Sequence, residues 1–376
     1  MTQLNKLRTF SPEDIAGRCV LVRADLNVPI DNGVITNDFR IRRALPTITA
    51  IIRGGGRVVL ISHIGKDGQG TLGPVYHYLQ QHVPIHFAKT LDEAERLQVS
   101  LAEGEVLLLE NLRSNPGEVE ADKAFSARLA GLAEAYVNDA FAASHRAHAS
   151  IVGVPTLLPS YAGIECMDEV TNLDTALTPV SPSLLILGGA KFATKIPLIR
   201  RLQHYDTIFI GGAIANDFFK EMGYEVGESL VSSDTQAIAS LMSNKNILLP
   251  IDVTVSRGED SLVVAPTEVL PHDVIMDVGT KTTDMLSSLV AEAKTILWNG
   301  PLGNYEKGYT RETEQLAKAV AASSATSIVG GGDTIASIGR LSLEDKFTFL
   351  STGGGAMLDY LAEGTLVGLE ALKHSN

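Results

Sequence analysis

Four short apolar runs in the first half of the chain each end in polar or cationic residues: LVRADLN, LISHIGK, LLLENLR and YVNDAFAASHRAH. They deliver Asp25 and Asn27, His63 and Lys66, Arg113, and Arg146 with His148, and Arg40 follows closely in ITNDFRIR. Arginine presents always-charged, bidentate donors that match carboxylate and phosphate. Several Arg and a His, set among carboxylate and carboxamide acceptors, suit a small anion that also carries hydroxyls. Taken singly, each residue has a plainer account. Asp25 and Asn27 before Pro29 fit an Asx turn, Arg113 can pair with Glu110, and His145 with Arg146 can close a solvated helix. Four such groups at four run ends weigh against coincidence. His145 and His148 at i, i+3 find no third ligand in view for a metal.

The second half carries glycine-rich loops instead: LGGAKFATK (Leu187–Lys195), IGGAIA (Ile210–Ala215), VGGGDTIAS (Val329–Ser337) and STGGGAM (Ser351–Met357). Glycine lets backbone N–H groups approach phosphate oxygens, and a helix N-terminus that follows adds a favourable dipole. Lys195 is expected near the start of a helix that Pro197 helps initiate, and Asp333 suits either an N-cap or a magnesium ligand. Neither GxxxxGK[ST] nor GxGxxG occurs, so no phosphate-loop or dinucleotide fingerprint is present. Four Gly loops with a Lys and an Asp still favour a magnesium nucleotide.

Composition narrows the partners. The net charge of −13 speaks against a general affinity for nucleic acid or an anionic membrane. Yet 12 of the arginines lie within residues 1–150, and the remaining 226 residues hold five. That asymmetry fits a local anion site in the first half. Cys19 and Cys166 are the only cysteines, with no CxxC, so a disulfide framework and a structural zinc site are not expected. No run of 18 apolar residues occurs and the N-terminus lacks a signal-peptide core, which leads us to expect a cytoplasmic protein.

At 376 residues, about 150 per domain gives two or three domains. The elements that must hold these residues read as β-branched runs followed by loops and amphipathic stretches. The runs are Cys19–Arg23, Arg57–Ser62, Pro84–Phe87, Val106–Leu109 and Ala135–Val137, then Leu184–Leu187, Thr207–Ile210, Ile247–Leu249, Thr295–Trp298, Ser327–Val329 and Phe347–Leu350. They lack strict alternation, as strands buried on both faces do. Ala121–Ala135, Ile196–Gln203 and Thr313–Ala322 carry helical spacing. This order predicts an α/β protein of two doubly wound, Rossmann-like parallel-sheet domains joined by a helix. Met167–Ala176 with the Pro/Ser stretch behind it is the expected joint.

With these residues assembled, the sequence resembles the phosphoglycerate kinase family nearly end to end, from VLVRADLNVPI (Val20–Ile30) to STGGGAMLDYL (Ser351–Leu361). The most specific pieces are ITNDFRIRRALPTI, ENLRSNPGE, VNDAF, SHRAHAS, LGGAKFATKI, WNGPLGNYE, GGGDT and STGGG. The resemblance implies reversible phosphoryl transfer between 1,3-bisphosphoglycerate and MgADP, giving 3-phosphoglycerate and ATP, as in glycolysis and gluconeogenesis. It implies a phosphoglycerate-binding domain over 1–166, a helix and linker over 167–180, a nucleotide-binding domain over 181–355 and a segment 356–376 returning to the first domain. A monomer is expected, without nucleic acid or membrane partners.

Carried over by motif, Asp25, Leu26, Asn27, Arg40, His63, Ile64, Gly65, Lys66, Arg113 and Arg146 would surround the phosphoglycerate. Gly189, Lys191, Lys195, Gly211, Gly212, Asn299, Glu306, Gly331, Gly332, Asp333 and Thr334 would meet the nucleotide, with Glu306 on the ribose and Asp333 positioning Mg2+. Arg40, Lys195 and the amides of Gly353, Gly354 and Gly355 would neutralise the transferring group. Where the family reads SHLGRP this chain has SHIGKDGQG, so Lys66 replaces an Arg and loses its bidentate fork. GGAKVSDK is here GGAKFATK, and GVFE is GNYE; the charged positions survive. An acyl phosphate is a reactive donor and the ADP β-phosphate is already anionic, so no general base is required. Positioning and charge neutralisation then carry the rate, with closure of the domains excluding water. A dinucleotide-dependent dehydrogenase lacks its fingerprint here. A non-catalytic nucleotide-binding paralogue or scaffold would be expected to lose Arg40, Lys195 or Asp333, and all three are present.

Overall fold

The computed structural model describes residues 6–190, 192–232 and 235–373, leaving aside the side chains of 192–194 and 235–237. Two compact units divide the chain: Met1–Thr171 with Glu363–Asn376, and Asn172–Ala362. Each is built on its own six-stranded parallel sheet, as the alternation of runs and helices predicts.

In the first unit the strand order is Ile85–Ala88, Val106–Leu109, Arg57–Ile61, Cys19–Ala24, Ala135–Asp139, Ser160–Ala162. Every residue of Cys19–Ala24, Val106–Leu109 and Ala135–Asp139 is buried, because helical crossovers cover both faces. The helix Phe39–Arg53 buries Ile41, Ala44, Thr47, Ile48 and Ile51, a stripe at helical spacing that packs on the sheet. From the central strand Cys19–Ala24 the chain moves first to one side, through Arg57–Ile61, and later returns to the other, at Ala135–Asp139. The crevice at such a reversal is where ligands bind in open parallel sheets.

In the second unit the order is Ile247–Leu248, Thr207–Ile210, Ser183–Leu187, Thr295–Asn299, Thr326–Gly330, Phe349–Leu350. Here the reversal falls between Ser183–Leu187 and Thr295–Asn299, paired from Ser183 opposite Thr295 to Leu187 opposite Asn299.

Several elements differ from the sequence reading. The joining helix is Ile164–Leu177, longer at both ends than Met167–Ala176, and the division between units falls within it. The tail grouped with the first unit begins at Glu363, where the sequence reading places it at 356. Helix Gly355–Glu363 stays with the second unit, held by Tyr360 Oη donating to Asp174 (2.7 Å) and Arg201 donating to the Ala362 carbonyl (3.2 Å). Pro197 does not initiate its helix, which already starts at Phe192 and carries Pro197 inside it. The helix expected over Ala121–Ala135 is Lys123–Ala130, started by Asp122, whose carboxylate accepts from Phe125 N (2.7 Å). An antiparallel sheet, in the order Asp260–Val264, Val253–Arg257, Val274–Val278, adds to the second unit.

A buried ionic cluster stands where the joining helix begins. Asp139, at the end of its strand, accepts from the amides of Glu165 (2.9 Å) and Cys166 (3.3 Å). Arg43 reaches Glu165 at 2.5 Å and Asp168 at 3.1 Å. Burial pushes the Asp139 carboxyl up to about 7. Both cysteines are free and buried, and burial pushes the Cys19 thiol up to about 11 and Cys166 well above its ordinary value. Among the described residues no helix is long and apolar enough to cross a membrane.

Candidate active site

The carboxyl ends of the first sheet gather a cationic cluster around His63, and it includes an arginine the sequence reading passed over. Arg23 is fully buried inside an otherwise apolar strand. Its Nε donates to Ser150 Oγ (3.1 Å), one Nη to the Ala24 carbonyl (2.6 Å), and the other contacts His63 Nδ1 (2.9 Å). Guanidinium can only donate, so His63 Nδ1 accepts and the ring proton resides on Nε2. Burial, and then Arg23, Arg113, Arg146 and Arg40, hold His63 far below its ordinary pKa, which keeps it neutral. An Arg within a run of buried β-branched residues was itself a signal, because such a charge is tolerated only when fully partnered.

The neighbouring loops are pinned to one another. Asn111 donates to the carbonyls of Ile64 and Gly70 (both 2.9 Å), and its Oδ1 accepts from the amides of Ile64 and Arg113 (both 3.2 Å). Gly65 N donates to Asn27 Oδ1 (2.9 Å), and Arg113 donates to the Gly65 carbonyl (2.7 Å). Gly68 has φ +79°, and a Cβ there would run into the Arg113 carbonyl, so the loop closes over Arg113 only with glycine. Glu110, the alternative partner for Arg113, instead accepts from Thr71 Oγ1 (2.6 Å) and Leu72 N (2.7 Å).

Asp25 is buried, accepts from Asn27 N in an Asx turn (3.3 Å) and lies 3.2 Å from Arg40. Arg40 also donates to the Asn27 carbonyl (3.0 Å). Leu26 and Ile64 are buried and serve the loop backbone, Leu26 N donating to Ser62 Oγ (3.0 Å). Lys66 and Arg146 are exposed. Burial, then Arg146 and Arg23, lowers Arg113 to about 10, and burial, then Arg113 and Arg146, lowers His148 to about 4. These groups therefore repel one another, and a multiply charged anion would relieve that repulsion. Glu118, fully buried, accepts from Ser150 N (2.9 Å) and Oγ (2.6 Å) and lies 3.8 Å from His148.

In the second unit, Lys195 sits at the sheet reversal. Its buried Nζ donates to the Gly188 carbonyl and reaches the Asn299 carbonyl at 3.4 Å. It thereby bridges the ends of the two strands that flank the crevice. Burial lowers it to about 7. Gly300, at φ +95°, allows this approach: a Cβ there would overlap the Gly188 carbonyl and press on Lys195 Nζ at 2.9 Å.

A cleft of about 470 Å³ opens beside it, lined in part by Gly189, Gly212, Phe219, Tyr305, Glu306 and Asp333. Asp277, on the cleft wall, is pushed up to about 8 by burial and then by Glu312. Asp333 lies in the first turn of helix Gly332–Arg340, which Gly331 caps, and burial and then Glu306 raise its pKa. Thr334 is buried behind it with Oγ1 unpartnered. Asn299 is buried, its amide directed at Met357 Sδ (3.7 Å), and Gly211 donates its N–H to the Leu187 carbonyl (2.7 Å). The Gly353 amide donates to Ser351 Oγ (3.1 Å), so it is committed internally; Gly354 and Gly355 remain at the start of their helix. Lys191 lies outside the described residues. Among those residues no group of three or more His, Cys, Asp or Glu could hold a metal by itself.

The family model described as "Phosphoglycerate kinase" matches residues 11–364. A phosphoglycerate kinase of Thermus thermophilus is 41% identical, with 98% of this chain and 100% of the relative covered. That of Rubrobacter xylanophilus is 42% identical over 97% of this chain and 98% of the relative. Among solved structures, phosphoglycerate kinase from Coxiella burnetii superposes with a TM-score of 0.82 at 38% identity, covering 97% of this chain and 98% of that one. The Pyrococcus horikoshii OT3 enzyme does so with a TM-score of 0.86 at 31% identity, over 97% and 99%. Identity, coverage and fold agree along nearly the whole length, and the chain belongs to the phosphoglycerate kinase family.

Proposed function

We propose that this kinase transfers a phosphoryl group reversibly between 1,3-bisphosphoglycerate and ADP, giving 3-phosphoglycerate and ATP. The observation that carries the reading is the position of Lys195, bridging the strand ends at the second unit's reversal, in a family member whose first unit gathers Arg40, His63, Arg113 and Arg146. The cationic cluster of the first unit would hold the phosphoglycerate, with Asp25 and Asn27 on its hydroxyl and carboxylate side. The neutral His63 would offer its Nε2 proton as a donor. The cleft of the second unit would hold the nucleotide, with Glu306 on the ribose and Gly211 and Gly212 beside the base.

Asp333 fits a magnesium nucleotide: one exposed carboxylate at a helix start beside the cleft suits an ion that takes its other ligands from phosphates and water. Bound there, Mg2+ would draw charge from the phosphate oxygens. Lys195 would leave its carbonyl partners for the phosphates, which restore its full charge. Arg40 and Lys195, with the amides of Gly354 and Gly355, would stabilise the equatorial oxygens of the group in transit. Transfer requires the two ligands to meet in line at about 3 Å, and closure of the units during turnover is part of the proposal. A coupled assay with 3-phosphoglycerate and MgATP, then with the reverse pair, tests the reading. Absence of turnover by folded protein would overturn it.

A further inference from the structure

The loop Gly303–Lys307 forms one wall of the cleft and carries Glu306. Asn304 anchors it: its N donates to the Met276 carbonyl (2.7 Å), its carbonyl accepts from Tyr309 N (3.0 Å), and its Oδ1 caps the turn Tyr305–Lys307 by accepting from Lys307 N (3.2 Å). Across from it runs helix Gly332–Arg340. The N-terminal end of that helix carries Asp333, which lines the same cleft as Glu306. At the C-terminal end the interaction is attractive, with the Arg340 guanidinium 4.6 Å from the centre of the Tyr305 ring and 3.9 Å from Glu314. A guanidinium stays charged at every working pH, so the contact persists. The helix thus holds the loop at its C-terminal end. The grip lies on the loop residue immediately before Glu306.

We infer that Arg340 is a positioning residue for nucleotide binding, holding the Gly303–Lys307 wall in its ligand-ready place through Tyr305. It does not contact the ligand. The inference rests on the nucleotide reading of this cleft. Without the grip the loop is free to leave that place, and ADP must then supply the cost of fixing it. An exposed cation–ring contact corresponds to about a two- to fivefold effect on an equilibrium.

Calorimetry with ADP, with and without Mg2+, on the full-length protein tests this. Arg340→Ala should weaken ADP about two- to fivefold while kcat at saturation and KM for 3-phosphoglycerate stay within about twofold of wild type. Arg340→Lys, which keeps a cation over the ring, should recover most of the affinity. In a Tyr305→Leu background, Arg340→Ala should cost no further ADP affinity. The inference falls if Arg340→Ala binds ADP like wild type, if the two losses multiply, or if Lys fails to restore affinity in a protein that melts normally. Should wild type itself not bind ADP, the nucleotide reading fails first.

Discussion

Lys195 Nζ lies 3.4 Å from the main-chain carbonyl of Asn299, a residue at the end of the neighbouring strand in the second unit's sheet. A lysine placed there ties the two edges of a ligand crevice together while it waits for a more strongly charged partner. Buried against carbonyls alone, it is lowered to about 7. At pH 8 it is mostly neutral in the free protein, and phosphates would raise its pKa again. ADP binding at pH 8 should therefore take up nearly one proton, and ADP affinity should weaken as pH rises above 7. Calorimetry in buffers of different ionisation enthalpy measures the uptake. Lys195→Met should abolish it.

The same residue should act chiefly on the rate. Lys195→Ala should lose on the order of 10²–10³ in kcat at saturating ADP, as expected for removal of one preorganised charge, in addition to the ADP affinity that the proton linkage ascribes to this lysine. Arg40→Ala should lose rate similarly and also weaken 3-phosphoglycerate. Near-normal kcat with lost affinity would reassign either residue to ground-state binding.

Arg113→Ala and Arg146→Ala should each weaken 3-phosphoglycerate by about 1.5–3 kcal/mol and leave ADP binding nearly unchanged. Both ligands can be titrated calorimetrically into the same preparations. Equal losses for both would point to damage to the fold instead.

Gly68→Ala should lower both Tm and 3-phosphoglycerate affinity, because its Cβ strikes the Arg113 carbonyl at a positive φ. Thermal melts with and without ligand read the two effects separately. A fully active, equally stable variant would show that the loop has another way to seat Arg113.

Asp139 gives an unusual sign to the pH dependence of stability. Its pKa is raised to about 7 in the folded protein, so the native state keeps a proton that the unfolded chain loses near pH 4. The linked contribution is therefore favourable at low pH and is lost as pH rises from about 4 to 7. Asp139→Asn should gain on wild type across that window in urea titrations. Parallel curves would mean that Asp139 is charged throughout.

Much of this was legible in the sequence, and the misses have physical causes. Buried parallel strands announce themselves as apolar runs, and all the runs named from sequence lie on or overlap strands. The antiparallel sheet was readable too, since VTVSRGEDSLVV pairs strand-like stretches around Gly258 at φ +62°. The hairpin Ile30–Asp31 with Val34–Ile35 is likewise signalled by Asn32-Gly33, both at positive φ. Arg113 was recognisable by type and place behind a strand, and Arg40 and Lys195 by type near the starts of their helices. Asn111 and Glu118 were not, because their work is to hold backbone segments and Ser150 that are distant in sequence. The commitment of Gly353 to Ser351 also needed coordinates: a Gly-rich string does not say which amide is already taken.

Cys19 and Cys166 are both buried with raised pKa values, and the proposed chemistry uses no thiol. Peroxide and electrophiles react with thiolates that they can reach, and this fold presents none in its native state. Oxidation of these thiols should consequently begin with partial unfolding, so their lifetime under oxidants is set by how often the first unit opens.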